Sequence, residues 1–362
     1  MAESLVDAGH DRSEVHYIGA RRGIETRLVP PSGFIAHFFD VVGLKREVSA
    51  GALRQNLVFV PKLLRASWQT LRLLRDLQPR VVVSVGGYAS LPAVLAARML
   101  SIPIVVVTYD RIPGRSSAIT SRFAAAVASA FPESPLPRFE FTGAPVRREL
   151  RTLDRSAARS GARKRLGLDE NRFCVAVVGG SLGSGVLNDV VRSLVRDHAA
   201  DSGLGIRHIV GERFYDAYRR SLLESGIAFT ETSGSSVGLQ YQIIEYEHDM
   251  AAVYAAADVV VGRGGAGTVA EIAVTGTPAI LVPWAGAAED HQTHNVRWLA
   301  DQGGAIHLPE HECAQRLPAL LQELRSDPAK STALGRVAHA AGTRSREGAI
   351  AALVEQVAGG RR

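Results

Sequence analysis

The 362-residue sequence is poor in cysteine, in long apolar runs and in basic clusters, and each shortage removes a class of protein. Its two cysteines, Cys174 in an apolar strand-like run and Cys313 in a polar region, supply neither a disulfide framework nor a thiolate metal set and fit a reducing compartment. No apolar run of about 18 residues and no leader peptide is present, so a chain that does not span a membrane is expected. The longest basic cluster is Arg163-Lys164-Arg165, too little for a nucleic-acid-binding protein. A net charge of +6 suits instead a basic face toward anionic lipid or a phosphorylated substrate. No Asp-x-Asp pair exists to carry a divalent cation, and neither Glu245–Asp249 nor His291 with His294 completes a ligand set, so no metal or other obligatory cofactor is expected.

What the sequence does have is glycine at the ends of apolar runs. Hydrophobic residues at 46% and charged residues at 22% leave room for two α/β domains. In the stretch Asp258 to Asn295, Val259–Val261 is apolar, Gly262–Gly267 holds four glycines in six residues, and Thr268–Val274 has helical spacing with Glu271 near its start. A second apolar run, Ala279–Val282, completes a βαβ unit whose glycine turn lies at the carboxyl end of a strand. Free N–H groups at such a helix start suit a diphosphate, and Glu271 is placed to accept hydrogen bonds from ribose hydroxyls. Glycine spacing alone is equally compatible with a turn that only packs helix on strand, leaving Glu271 a solvated charge. Glu289, Asp290, His291, Gln292 and Asn295 favour the ligand, because they crowd polar groups just beyond the next strand, where a sugar's hydroxyls would sit.

Together these residues, GRGGAGTVAEIAVTGTPAILVPW followed by EDHQTHN, resemble the nucleotide-sugar signature of MurG-type glycosyltransferases. Those enzymes move N-acetylglucosamine from UDP onto the undecaprenyl-linked muramyl-pentapeptide precursor of peptidoglycan. The resemblance implies an α/β, GT-B architecture: two doubly wound Rossmann-like domains facing a cleft. It implies donor contacts at Gly265, Ala266, Gly267, Thr268, Val269, Ala270, Glu271, His291 and Gln292, and at Ser181 and Gly183 of a second glycine turn after the run Phe173–Val178. Thr142–Arg147 matches the family's TGNPVR and places Arg147 on the donor, and Glu247 falls where the family's backbone meets the uracil edge. A third turn, Gly86-Gly87-Tyr88, is implied to hold the acceptor's pyrophosphate. Asp110 stands where the family has an asparagine, in VTYD rather than HEQN, and is the candidate base toward the acceptor hydroxyl.

The expected division is 1–150 for an acceptor and membrane-facing domain, 151–340 for the UDP-sugar domain, and 341–362 for a helix returning to the first. Met1–Gly9 reads as the tail of a helix, so the first domain is expected to lack its usual first strand and GGTGGH-like loop. Ser116–Ala130 reads as an alanine-rich helix and Thr152–Arg165 as a polar, basic linker or short helix. Between Leu57 and Arg80, Leu64, Trp68, Leu71 and Leu74 form one helical stripe interleaved with Lys62, Arg65, Arg72 and Arg75. It reads as core-facing with a solvated basic face, or as a surface that also docks on the cytoplasmic leaflet, where the acceptor resides. Two other functions stay open: a related GT-B enzyme with another acceptor, and an inactive truncated paralogue that binds the nucleotide sugar.

Overall fold

Continuous Val/Ile/Ala runs bounded by glycine or proline become strands, and every strand pair is parallel, as buried crossover sheets require. The computed structural model describes residues 1–22, 25–41, 50–180, 183–231 and 237–360, with the backbone alone at 50–60 and 88. The chain forms two compact units, Met1–Pro145 with Glu347–Arg362, and Val146–Arg346.

In the first unit the opening element is the helix Ala2–Asp7, followed by a two-stranded sheet of β1 (His16–Ala20) and β2 (Ile35–Phe39). A four-stranded sheet in the order β3 (Val82–Ser84), β4 (Ile104–Thr108), β5 (Ala126–Ser129), β6 (Phe139–Phe141) follows. The helix Ala349–Gly359 lays Ile350, Leu353 and Val354 on Val105, Val107 and Ala128, burying its apolar stripe. In the second unit the order is β12 (Ile306–His307), β11 (Ala279–Val282), β10 (Val259–Arg263), β7 (Phe173–Val178), β8 (Leu204–Ile209), β9 (Gln240–Ile244).

Four expectations are corrected or narrowed. Ser116–Ala130 is not one helix: Arg115–Thr120 is helical, and Ala126–Ser129 is a strand buried on both faces. Alanine's helix propensity yields to the sheet, because small residues fit where helices cover both sides. Of the two readings of Thr152–Arg165, linker or short helix, the structure takes the helix, Arg155–Leu166, capped by the Asp154 carboxylate. Arg155, Arg159 and Arg163 recur every four residues and share a face. Arg155 donates to the Tyr254 and Ala257 carbonyls (2.9 and 2.8 Å) and Arg163 to that of Ala256 (3.0 Å), satisfying the orphan end of the helix Met250–Ala256. Arg159 and Arg163 also grip Asp258, each at 2.8 Å.

The third correction concerns Cys313, which is fully buried in the second unit's core. The fourth concerns the long helix Ala50–Leu77, whose apolar stripe splits. Leu71 and Leu74 are buried, but Leu64 and Trp68 are 65% and 53% exposed. The buried face is completed by Ala66 and by Thr70, whose hydroxyl bonds back to the Ala66 carbonyl at 2.8 Å. Counting large apolar residues therefore picks the wrong side of these turns, and Leu64 and Trp68 stand among arginines, with the Arg72 guanidinium 3.7 Å above the Trp68 ring.

Candidate functional site

The six-stranded sheet decides where a ligand can sit. From β7 the chain adds β8 and β9 on one side, then returns to add β10, β11 and β12 on the other. Loops leaving β7 and β10 therefore diverge, opening a crevice beyond the carboxyl ends of these two strands. Both glycine turns of this unit lie there.

After β10 the helix Ala266–Thr275 starts at Gly265 with no side-chain cap. Its first backbone bond runs from the Val269 N–H to the Gly265 carbonyl at 3.0 Å, so the N–H groups of Ala266, Gly267 and Thr268 have no helical acceptor. A Cβ built on Gly265 or Gly267 meets nothing within 4 Å, whereas one on Gly264 lies 2.7 Å from the Gln292 carbonyl. Gly264 is a packing glycine. Gly265 and Gly267 border open space beside bare N–H groups and the positive end of the helix dipole. Val269 and Ala270 are buried and can offer a ligand only their backbone.

One turn further, Glu271 accepts the Tyr254 hydroxyl at 2.7 Å. Burial pushes its carboxyl above the ordinary value, while the Tyr254 hydroxyl and the Arg147 guanidinium pull it back. Arg147 heads the short helix Arg148–Arg151 in the same unit, half exposed, and pairs with Glu149 at 2.9 Å.

The loop after β11 is tied to this same turn. Gln292 Oε1 accepts from the Gly264 and Trp284 N–H groups at 3.2 and 3.0 Å, and the buried Asn295 donates to the Gly264 carbonyl at 3.3 Å. His291 Nδ1 lies 2.7 Å from the Ala288 carbonyl, which makes it the protonated nitrogen. Glu289 and Asp290 have φ of 55° and 50°, a left-handed pair that only surrounding constraint holds in place.

After β7, Ser181 lies outside the described residues. Gly183 has φ of 75°, and a Cβ there would collide with the Val210 carbonyl, so this turn is pressed onto the end of β8. Glu247 has its carboxylate consumed: it pairs with the buried Arg207 at 2.6 Å and accepts the Asp249 N–H at 2.9 Å.

Arg263 was not singled out by sequence, although an arginine closing a buried strand needs partners. It donates to the Ser184 hydroxyl at 2.6 Å and the Val282 carbonyl at 3.3 Å and pairs with Glu310 at 2.5 Å. One guanidinium thus ties the end of β10 to the end of β11 and to the start of the helix Gly185–Asp197 that follows β7.

In the first unit Gly86 and Gly87 follow β3 with φ of 85° and 75°. The Gly87 carbonyl accepts the Ser90 and Ser116 hydroxyls at 2.9 and 3.1 Å, and a Cβ on Gly87 meets nothing within 4 Å. Tyr88 opens a single 3₁₀ turn, and its side chain is outside the described set. Asp110 follows β4, its carbonyl 3.4 Å from the Thr108 hydroxyl, and Arg111 pairs with Glu133 at 2.9 Å. Among the described residues no group of three or more His, Cys, Asp or Glu side chains could hold a metal ion.

Residues 1–129 match the glycosyltransferase family 28 N-terminal domain, and residues 174–350 the family 28 C-terminal domain. A UDP-N-acetylglucosamine–N-acetylmuramyl-(pentapeptide) pyrophosphoryl-undecaprenol N-acetylglucosamine transferase of Desulforudis audaxviator is 33% identical, over 97% of this chain and 92% of its own length. The enzyme of that name from Clavibacter michiganensis is 35% identical, over 96% and 89%. A crystal structure of Acinetobacter baumannii MurG superposes with a TM-score of 0.67 at 26% identity, covering 98% of this chain and 94% of that one. The fold is also that of a Neisseria meningitidis UDP-GlcNAc 2-epimerase, TM-score 0.63 at 13% identity over 99% and 95% of the two chains, so fold by itself does not choose the reaction.

Proposed function

The chain belongs to glycosyltransferase family 28 in its MurG branch, and from that premise we propose that it transfers N-acetylglucosamine from UDP-N-acetylglucosamine to lipid-linked N-acetylmuramyl-pentapeptide, converting lipid I to lipid II in peptidoglycan synthesis. The observation that carries this is the uncapped helix start at Gly265, beside two open glycines, where the strand order reverses. The N–H groups of Ala266, Gly267 and Thr268 take the diphosphate, with Ser181, Gly183 and Arg147 around it. Glu271 takes the ribose hydroxyls, the backbone at Glu247 the uracil edge, and His291 and Gln292 the sugar hydroxyls. On the first unit Gly86, Gly87 and Tyr88 hold the acceptor pyrophosphate.

In this reaction the muramyl hydroxyl oxygen bonds to the anomeric carbon from the face opposite the diphosphate. The carbon–oxygen bond to UDP breaks with its electron pair leaving on the diphosphate, and the configuration inverts. The hydroxyl proton passes to Asp110. Charge growing on the leaving group meets N–H donors already aimed at it, which costs no reorganisation. No described helix is long and apolar enough to cross a membrane. Leu64 and Trp68, exposed among Arg65 and Arg72, are instead the surface that settles on the anionic cytoplasmic leaflet.

The test is transfer of radiolabelled N-acetylglucosamine from UDP to a short-chain lipid-linked muramyl-pentapeptide. Product that is lost in Glu271→Ala and in Asp110→Asn is the expected result. Full turnover by Asp110→Asn removes that residue from the chemistry. Product only with another lipid or natural-product acceptor would make the protein a related transferase, and UDP-sugar binding with no product would make it a binding protein.

A further inference from the structure

The helix Ala266–Thr275 has a second polar setting at its far end, ten residues or about 15 Å from the diphosphate turn. A cavity of about 540 Å³ lies over Thr275 and Gly276 and is walled by Arg151, Arg155, Arg336, His339 and Arg346. Asp154 is the acidic residue of its described wall, and its carboxylate is engaged by the Ala157 N–H at 3.0 Å.

The floor is rigid and two of the cations are fixed. Gly276 and Gly335 bring two helices into close contact, for a Cβ on Gly276 would lie 2.9 Å from that of His339. Arg155 donates to the Tyr254, Ala257 and Gly276 carbonyls at 2.9, 2.8 and 3.1 Å. Arg346 donates to the Val274 carbonyl at 3.2 Å and the Thr343 hydroxyl at 3.1 Å. These two offset the negative helix ends beneath them. Arg336 and His339 are exposed at the rim, three residues apart on the helix Pro328–Ala341, and so share a face. Burial, and then the Arg346 guanidinium, hold the His339 imidazole below its ordinary value.

We propose that this cavity is a second anion site of the protein, built for a phosphoryl group and separate from the donor crevice. Guanidinium forks match phosphoryl oxygens two at a time, and a concave wall on which arginines outnumber the one carboxylate concentrates an anion. Such a group can come from a free phosphate or from a lipid headgroup.

The experiment is NMR of the His339 imidazole in the full chain, with UDP present to fill the donor site and inorganic pyrophosphate as titrant at fixed pH. The His339 resonances are expected to move saturably toward the protonated position, since a bound anion favours the imidazolium. Arg336→Gln weakens that response about tenfold by removing a charge-assisted bond, while UDP affinity is unchanged. Absence of saturable movement, or an equal response in Arg336→Gln, overturns the site. Vesicles of phosphatidylglycerol in phosphatidylcholine that move His339 and compete with pyrophosphate identify a lipid headgroup. Vesicles that leave His339 still, while pyrophosphate moves it, identify a free anion.

Discussion

The two glycine turns of the second unit share a sequence pattern, but Gly183 of one and Gly265 and Gly267 of the other meet opposite surroundings. Each follows a buried strand and precedes a helix, yet Gly183 after β7 is closed in by the Val210 carbonyl, while Gly265 and Gly267 after β10 face open space. The Val210 carbonyl is itself held: Asn188 donates to it at 3.3 Å, and Asn188 Oδ1 lies 3.0 Å from His208 Nε2, whose ring also meets the Tyr241 hydroxyl at 3.0 Å. At Gly183 the chain is therefore clamped onto a satisfied polar core, and the missing side chain there serves packing. The other turn leaves its N–H groups for a ligand, and Gly265 and Gly267 keep the space beside them open. Glycine spacing cannot tell these apart, but what a Cβ would meet can.

The largest expected effect is at the clamped turn. Gly183→Ala adds a Cβ at positive φ against backbone, and unfolding in urea should show a loss of about 3 kcal/mol or more. A loss below about 1 kcal/mol would erase the contrast between the turns. Next is the guanidinium that joins them: Arg263→Met leaves Glu310 and Ser184 without it and should cost about 3 kcal/mol. Acid probes the clamp from beneath. Complete burial pushes the His208 imidazole down to about 3, against 6.5 when exposed. The unfolded chain takes up a proton that the native chain refuses, so this stability is full above 6.5 and is lost as pH falls toward 3. His208→Asn should unfold more easily at neutral pH but show a flatter acid dependence by up to about 1.4 kcal/mol per pH unit.

At the open turn the effects belong to the ligand. Tyr254→Phe removes the hydrogen bond to Glu271 and should raise KM for UDP-N-acetylglucosamine about tenfold with little change in kcat. The Tyr254 hydroxyl lowers the carboxyl's pKa, so the pH below which binding weakens should move upward in the variant. The smallest effect on folding is Gly267→Ala, which should leave stability within about 1 kcal/mol because the site is helical and empty. Its KM should still rise, since the added methyl enters the space beside the N–H groups. Stability falling as far as in Gly183→Ala would place Gly267 with the packing glycines.

Much of the strand framework was legible because parallel strands covered on both faces read as unbroken apolar runs. Phe173–Val178, Val259–Val261 and Ala279–Val282 are of this kind, and each opens or ends beside glycine or proline. Ala126–Ser129 escaped because one valine among alanine and serine makes neither a period nor a β-branched run. The basic face Arg155, Arg159, Arg163 was visible as charge but not as burial, since its partners are carbonyls some hundred residues further along. At Leu64 and Trp68 the helix itself was legible, but which side its neighbours in the unit cover was not.

By itself the sequence determined the parallel α/β pattern, the strand–glycine–helix turn at Gly262–Gly267 and the family membership that goes with it, because these rest on local periodicity and local spacing. Only the tertiary structure decided that β10 returns to the far side of β7, that Gly264 and Gly183 are packed while Gly265 and Gly267 are open, and that Arg263 ties β10 to the end of β11 and to the helix start at Ser184. Those depend on which remote backbone lies within a few ångströms of a given atom, and short-range sequence pattern carries no record of that distance.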